Sequence, residues 1–164
     1  MDKIFERIKD GDLSDLKGLT ADLTIPVQQK MINDLIRAEL RGNKNIASCV
    51  ISVHPQNRVS VDLTTTIFPL PLKLKLKLDN AVDFASYSSP KIRAWMENNL
   101  LLGSLGSRLN ILPQGIKLYG NQLVVDLGVF LRKPEQKRML EPVKSIGINT
   151  AEGKVILDVK IDVD

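Results

Sequence analysis

Cysteine and histidine each occur once, as Cys49 and His54. A lone thiol excludes an intrachain disulfide and agrees with a reducing compartment. One His and one Cys without ligand spacing cannot form a metal site, so no metal or other cofactor is expected. Aromatic residues number only seven, which leaves 24 Leu, 15 Ile and 13 Val to fill the interior. No stretch approaches the ~18 uninterrupted apolar residues of a membrane span. The opening Met-Asp-Lys-Ile-Phe-Glu-Arg lacks the apolar run of a signal peptide, and the expected location is cytoplasmic. Basic blocks interleaved with aromatics are missing too, which argues against nucleic acid as a partner.

What the chain does have is length for one domain and an uneven charge. Its 164 residues read as a single domain, 1–164, carrying a net charge of +4. Residues 1–22 hold four basic and six acidic side chains, and the remainder holds 19 and 13. That surplus suits acidic headgroups, phosphates or acidic proteins, and it also serves solubility. Residues 1–22 read as an N-terminal amphipathic or flexible segment, 23–86 as a first unit and 87–164 as a second.

The periodicity changes along the chain. Over 25–40, Val27, Met31, Ile32, Leu35, Ile36 and Leu40 form a helical stripe, with Thr24 as cap and Pro26 in the first turn. From 46 to 54 and from 59 to 67 the pattern alternates about a turn at Pro55-Gln56-Asn57. Leu70, Leu72, Leu74, Leu76, Leu78, Val82 and Phe84 then share one face of a run readable as a single strand of about fifteen residues. Opposite them stand Lys73, Lys75, Lys77, Asp79 and Asp83. A second helix is expected at 90–102 from Ile92, Trp95, Met96 and Leu100. Hairpins follow at 116–119/122–131 across Gly120-Asn121 and at 144–149/154–163 across Glu152-Gly153, with a surface helical turn in 132–142 between them.

An offset of 64 residues lays Pro26 on Pro90, Met31 on Trp95 and Ile32 on Met96, and lays Asn57–Leu63 on Asn121–Leu127. Either two helix-plus-hairpin units repeat, or two ordinary amphipathic units share a length. Strands apolar on one face require an antiparallel sheet solvated on the other. The expected fold is therefore α+β: a long, curled antiparallel sheet of about six strands packed on two main helices, with a two-fold repeat of helix–hairpin units.

As a pattern over 23–163, the chain resembles the tubular lipid-binding (TULIP-like) domains, which share repeated helices with long amphipathic strands and an aliphatic concave face. The resemblance implies an apolar groove for acyl chains and carriage of lipid between membranes.

Catalytic chemistry finds little footing. His54 lies on a polar strand face beside a turn, and Cys49 alternates onto the apolar face with no base nearby in sequence. Asp62 and Asp126 match in the repeat but sit on polar faces, and Gly103–Ser107 lacks the Lys-Ser/Thr of a phosphate loop. No enzyme is expected. Met31, Leu35, Leu74, Leu76, Trp95, Met96, Leu100 and Leu127 are expected to converge between helices and sheet. There they line either a groove for lipid or fatty acid or a closed core. Lys73, Lys75 and Lys77 either meet an anionic membrane or protect a sheet edge. The expected function is non-enzymatic lipid or acyl-chain binding with transient docking on anionic membranes. The alternative is a structural or protein-interaction module with a closed core, meeting a protein partner or a second copy through a sheet edge.

Overall fold

In a computed structural model, the structure describes residues 17–67, 71–97 and 112–163. In chain order it runs β1 (Thr20–Gln28), α1 (Gln29–Glu39), β2 (Ile46–His54), β3 (Arg58–Thr65), β4 (Leu72–Leu78), β5 (Lys91–Met96), β6 (Ile116–Tyr119) and β7 (Gln122–Asp126). There follow α2 (Leu127–Phe130), α3 (Pro134–Arg138), β8 (Val143–Ala151) and β9 (Lys154–Asp162). The strands form two antiparallel sheets, one ordered β1-β9-β8 and one ordered β2-β3-β4-β5-β7-β6. The fold class is α+β, with a six-stranded antiparallel sheet as its larger part.

Because directly opposed residues share a face, the register divides each sheet into an apolar and a polar side. In the larger sheet Val59 opposes Leu76, Val61 opposes Leu74 and Leu76 opposes Met96. Val59, Val61, Leu76, Ala94 and Met96 form the core, with Cys49, Ile51, Leu74, Leu78, Leu118 and Leu123 packed against it. In the smaller sheet Leu23–Val159–Ile146 and Ile25–Leu157–Ile148 make apolar rows, while Asp22, Thr24, Asp158 and Lys160 share the other face.

Several expectations are corrected. The second helix is absent over 91–96, where β5 pairs with β4 on one side and β7 on the other. Ile92, Trp95 and Met96 fit a helical stripe, but Ala94 and Met96 also alternate. Two ready ladders satisfy more backbone than one isolated helix could. Residues 98–102 of that expected helix lie outside the described residues. Among the described residues there is one long helix rather than two, and helix-to-helix matching in the repeat fails because Met31 is helical while Trp95 is in a strand.

The first helix also begins later than expected, at Gln29 with Gln28 as its N-cap. Leu23, Ile25 and Val27 alternate, and pairing with β9 claims them for a strand. Nor is 70–84 one strand. β4 ends at Leu78, and the chain then crosses to the smaller sheet, where Val82 N–H bonds Ile146 O at 2.9 Å and Ile148 N–H bonds Asn80 O at 2.6 Å. The alternation continues because both sheets demand it. The partner is what changes.

The hairpin half of the repeat has a structural counterpart. β2–β3 and β6–β7 occupy opposite edges of the larger sheet. Asn57 O accepts Leu78 N–H and Asn121 O accepts Met96 N–H, both at 2.8 Å. The first turn inserts Pro55-Gln56-Asn57 between His54 and Arg58, and the second only Gly120-Asn121 between Tyr119 and Gln122. Gly120 has φ 60°, which the shorter turn demands of its first central residue. The second long strand, expected to reach 131, stops at Asp126. Its carboxylate accepts Gly128 N–H at 2.9 Å and Ser89 Oγ–H at 2.7 Å, starting the one-turn α2.

A buried polar joint ties the sheets together. Asn57 is 5% exposed with φ 58°, a left-handed conformation that Asn tolerates better than most residues. Its Nδ2 donates to Asn80 Oδ1 at 2.8 Å and to Ile148 O at 3.0 Å, and its N–H donates to Thr150 Oγ1 at 2.7 Å.

Candidate functional site

Among the expected groove residues, Leu74, Leu76 and Met96 come together on the inner face of the larger sheet. Leu127 is half-buried at the start of α2. Trp95 points the other way, since it neighbours Met96 in a strand and successive strand side chains alternate. Met31 and Leu35 lie on α1 and are each 57% exposed. Leu100 lies outside the described residues.

α1 is tied to β2 by side-chain amides. Asn33 Oδ1 accepts Ile51 N–H at 2.7 Å and its Nδ2 donates to Ile51 O at 2.9 Å. Gln29 Oε1 accepts Val53 N–H at 2.7 Å. These amides close the outer edge of β2, and the positions one helical face round, Met31 and Leu35, are left open to solvent. No α1 residue is fully buried.

The smaller sheet shows a second aliphatic exposure, which sequence reasoning missed. Burial falls steadily across its apolar face, from Ile148 at 1% exposed, through half-buried Leu157, to Ile25 at 43%. Leu23 beside it is 45% exposed. The alternation Leu23-Thr24-Ile25-Pro26-Val27 carried this signal, which the proline obscured by suggesting a helix start. Leu23, Ile25, Met31 and Leu35 thus form an exposed aliphatic set from two consecutive elements.

On the outer face of the larger sheet, the lysine stripe sits in β4, which β3 pairs over Leu72–Lys77 and β5 pairs over Leu76–Leu78. Lys77 is thus interior, while among the described residues no strand ladder flanks Lys73 on the β5 side, where edge protection still applies. Arg58 opposes Lys77, Ser60 opposes Lys75 and Asp62 opposes Lys73. Across the next strands, Lys77 opposes Trp95, Trp95 opposes Gln122, and Gln122 opposes Tyr119. The result is a row of Arg58, Lys77, Trp95, Gln122 and Tyr119 on one face. The Trp95 indole N–H donates to Asp79 Oδ1 at 3.1 Å, and Arg58 and Arg93 pair with Glu97 and Asp83 at 3.3 and 2.6 Å. The folding register brings these residues together, and no local motif announces them.

The titratable candidates have structural employment. His54 Nε2 lies 3.1 Å from Ser60 Oγ and its Nδ1 lies 3.9 Å from Glu152 Oε1. Burial pushes the Cys49 thiol above its usual pKa, which holds it in the unreactive protonated form at neutral pH. Asp126 caps α2 and binds Ser89. Asp62 and Asp126 stand on β3 and β7, with two strands between them and an offset of about eight residues, roughly 26 Å, along the strands, too far to act as a pair. Among the described residues no three His, Cys, Asp or Glu gather as a metal site, and no helix is long and apolar enough to cross a membrane.

No family model, curated protein or solved structure matches the chain.

Proposed function

We propose that the protein binds lipid or fatty acyl chains without catalysing a reaction, and that it docks transiently on anionic membranes. The carrying observation is the exposed aliphatic set Leu23, Ile25, Met31 and Leu35, each 43–57% open to solvent. Each buried methylene contributes about 0.8 kcal/mol, so an acyl chain laid along β1 and α1 gains from every carbon that covers these side chains. Flexible aliphatic ligands suit such a surface better than planar ones, because Leu, Ile and Met offer no flat stacking partner. The outer face supports the membrane part. Lys73, Lys75 and Lys77 attract acidic headgroups at up to about 1 kcal/mol each near a charged surface, and Trp95 is an amphipathic ring suited to the headgroup region.

Native mass spectrometry followed by organic extraction tests the binding. Acyl lipid is expected to co-purify or to load from added oleate. Ile25→Arg and Met31→Glu, both at exposed positions, should lower the load severalfold while leaving the circular dichroism unchanged. A bare chain that takes up no oleate would sink the reading. Flotation with phosphatidylserine vesicles tests docking separately: a Lys73/Lys75/Lys77→Glu variant should lose binding that high salt also abolishes.

A further inference from the structure

The sheet edges differ in how they are closed. The outer edge of β2 is occupied by the amides of Asn33 and Gln29. The outer edge of β8 bonds to the segment after β4, through Asn80 and Val82. β6 offers an edge of only four residues. β1 is nine residues long, and among the described residues nothing pairs with its outer side. A long open edge is a template for another strand.

The backbone parity of β1 shows which groups it presents. Leu19 O accepts Val163 N–H at one end, and Gln29 N–H donates to Gly153 O at the other. In an antiparallel ladder the odd residues between them therefore bond to β9. Thr20, Asp22, Thr24, Pro26 and Gln28 turn their backbone groups outward. Proline has no N–H to lose there, which is why Pro26 can lie inside a strand.

We propose that this edge pairs with the same edge of a second copy, antiparallel about a two-fold axis at Thr24. The self-complementarity of the strand selects both the occupant and the register. Centred on Asp22, the pairing sets two carboxylates opposite one another; centred on Pro26, its middle has no donors. Centred on Thr24, it sets Thr against Thr, Asp22 against Pro26 and Thr20 against Gln28. Asp22 N–H then still reaches the Pro26 carbonyl, and this register keeps more backbone hydrogen bonds than its neighbours. On the apolar face Leu23 meets Ile25 of the other copy, covering side chains that are otherwise 45% and 43% exposed. The two smaller sheets become one six-stranded sheet across the axis. This pairing needs no bound lipid, and it takes up the Leu23 and Ile25 part of the surface that the function proposed above assigns to an acyl chain.

Analytical ultracentrifugation of the full chain is expected to show a concentration-dependent dimer at twice 18.3 kDa. Thr24→Pro removes the outward N–H together with the hydroxyl that donates to Asp158 Oδ1 at 3.0 Å, and should shift the protein to monomer, whereas Thr24→Val, which loses the hydroxyl alone, should stay dimeric. In a Cys49→Ser background, Thr24→Cys should cross-link readily under mild oxidation, since directly opposed Cα atoms in a hydrogen-bonded pair lie about 5.5 Å apart. Asp22→Cys, displaced from the axis, should cross-link at least tenfold more slowly. The cross-linking contrast also decides the matter if Thr24→Pro fails to fold. A monomer at every concentration overturns the proposal, as does a dimer that Thr24→Pro leaves intact. Equal cross-linking at positions 22 and 24 overturns the register, and a free chain that stays monomeric while capturing an unrelated extended peptide along β1 overturns the second copy as occupant.

Discussion

The two sheets carry the same alternating pattern and bury it very differently. On the larger, Leu76, Ala94 and Met96 are 4%, 3% and 5% exposed; on the smaller, burial declines strand by strand until Leu23 and Ile25 stand nearly half open. Alternation decides which face a side chain takes. Whether that face is sealed depends on what packs above it, and an isolated strand pattern carries no information about that. Most of the fully buried aliphatic side chains among the described residues therefore belong to the larger sheet. The smaller one, open along β1, has surface to spare for a ligand or a partner.

The largest test of this contrast is a pair of truncations. Leu76→Ala is expected to lower unfolding free energy by about 2–5 kcal/mol, because it opens a cavity in packed surroundings. Ile25→Ala should cost about 1 kcal/mol or less, since much of the side chain already meets water. Equal losses in urea titration would break the comparison. Next comes the joint between the sheets. Asn57→Ala removes two side-chain hydrogen bonds and sets an alanine in the left-handed region, for an expected loss of about 2–4 kcal/mol. Asn57→Gly should recover about 1 kcal/mol of that. If the sheets are independently stable, calorimetry of Asn57→Ala will resolve two transitions instead of one.

A smaller effect sharpens the contrast between edges. Asn33→Ala frees the backbone groups of Ile51 and should cost about 1–2 kcal/mol, with light scattering rising as the β2 edge becomes available. The smallest concerns pH. Lys30 at 2.7 Å, helped by Arg37 at 3.0 Å, holds the Asp34 carboxyl below its ordinary value of 3.8. A lowered carboxylate pKa gives stability that is present above the unfolded value and lost as pH falls through the folded one. Asp34→Asn should therefore leave ellipticity at pH 7 almost unchanged and flatten its decline below about pH 4, a difference that added salt erases.

Much of the sheet was legible in the residues, because period-two alternation bounded by turn residues has few other solutions. β2, β8 and β9 fall where Cys49-Ile51-Val53, Ile146-Ile148 and Val155–Ile161 place them. Residues 91–96 read as helix because Ile92 and Met96 satisfy both periods and Trp95 adds to the helical one, and only the neighbouring strands break the tie. Pro26 was misread because proline suits a first helical turn and an outward strand position equally, and the two differ only in a partner 130 residues away. Of the candidate surfaces, the lysines were visible as a stripe. The arginine and aromatic residues beside them were not, since cross-strand register is a property of the folded chain. Asn33 and Gln29 carry no sequence signal, and Asn57 shows only as a turn residue, because polar side chains that cap an edge or join two sheets are chosen by distant backbone.

The pairing of β1 with β9 also sets a schedule for synthesis. Thr24 meets Asp158 across 134 positions of chain, and β9 lies between β1 and β8. At about 5–20 residues per second, residues 20–28 leave the ribosome roughly 7 to 27 seconds before the strand that will hold them. β2, β3 and β4 can meander into place in that interval, while β1 waits with both edges bare. Pro26, which withholds one donor, then makes a premature partnership with a neighbouring nascent chain slightly harder to form.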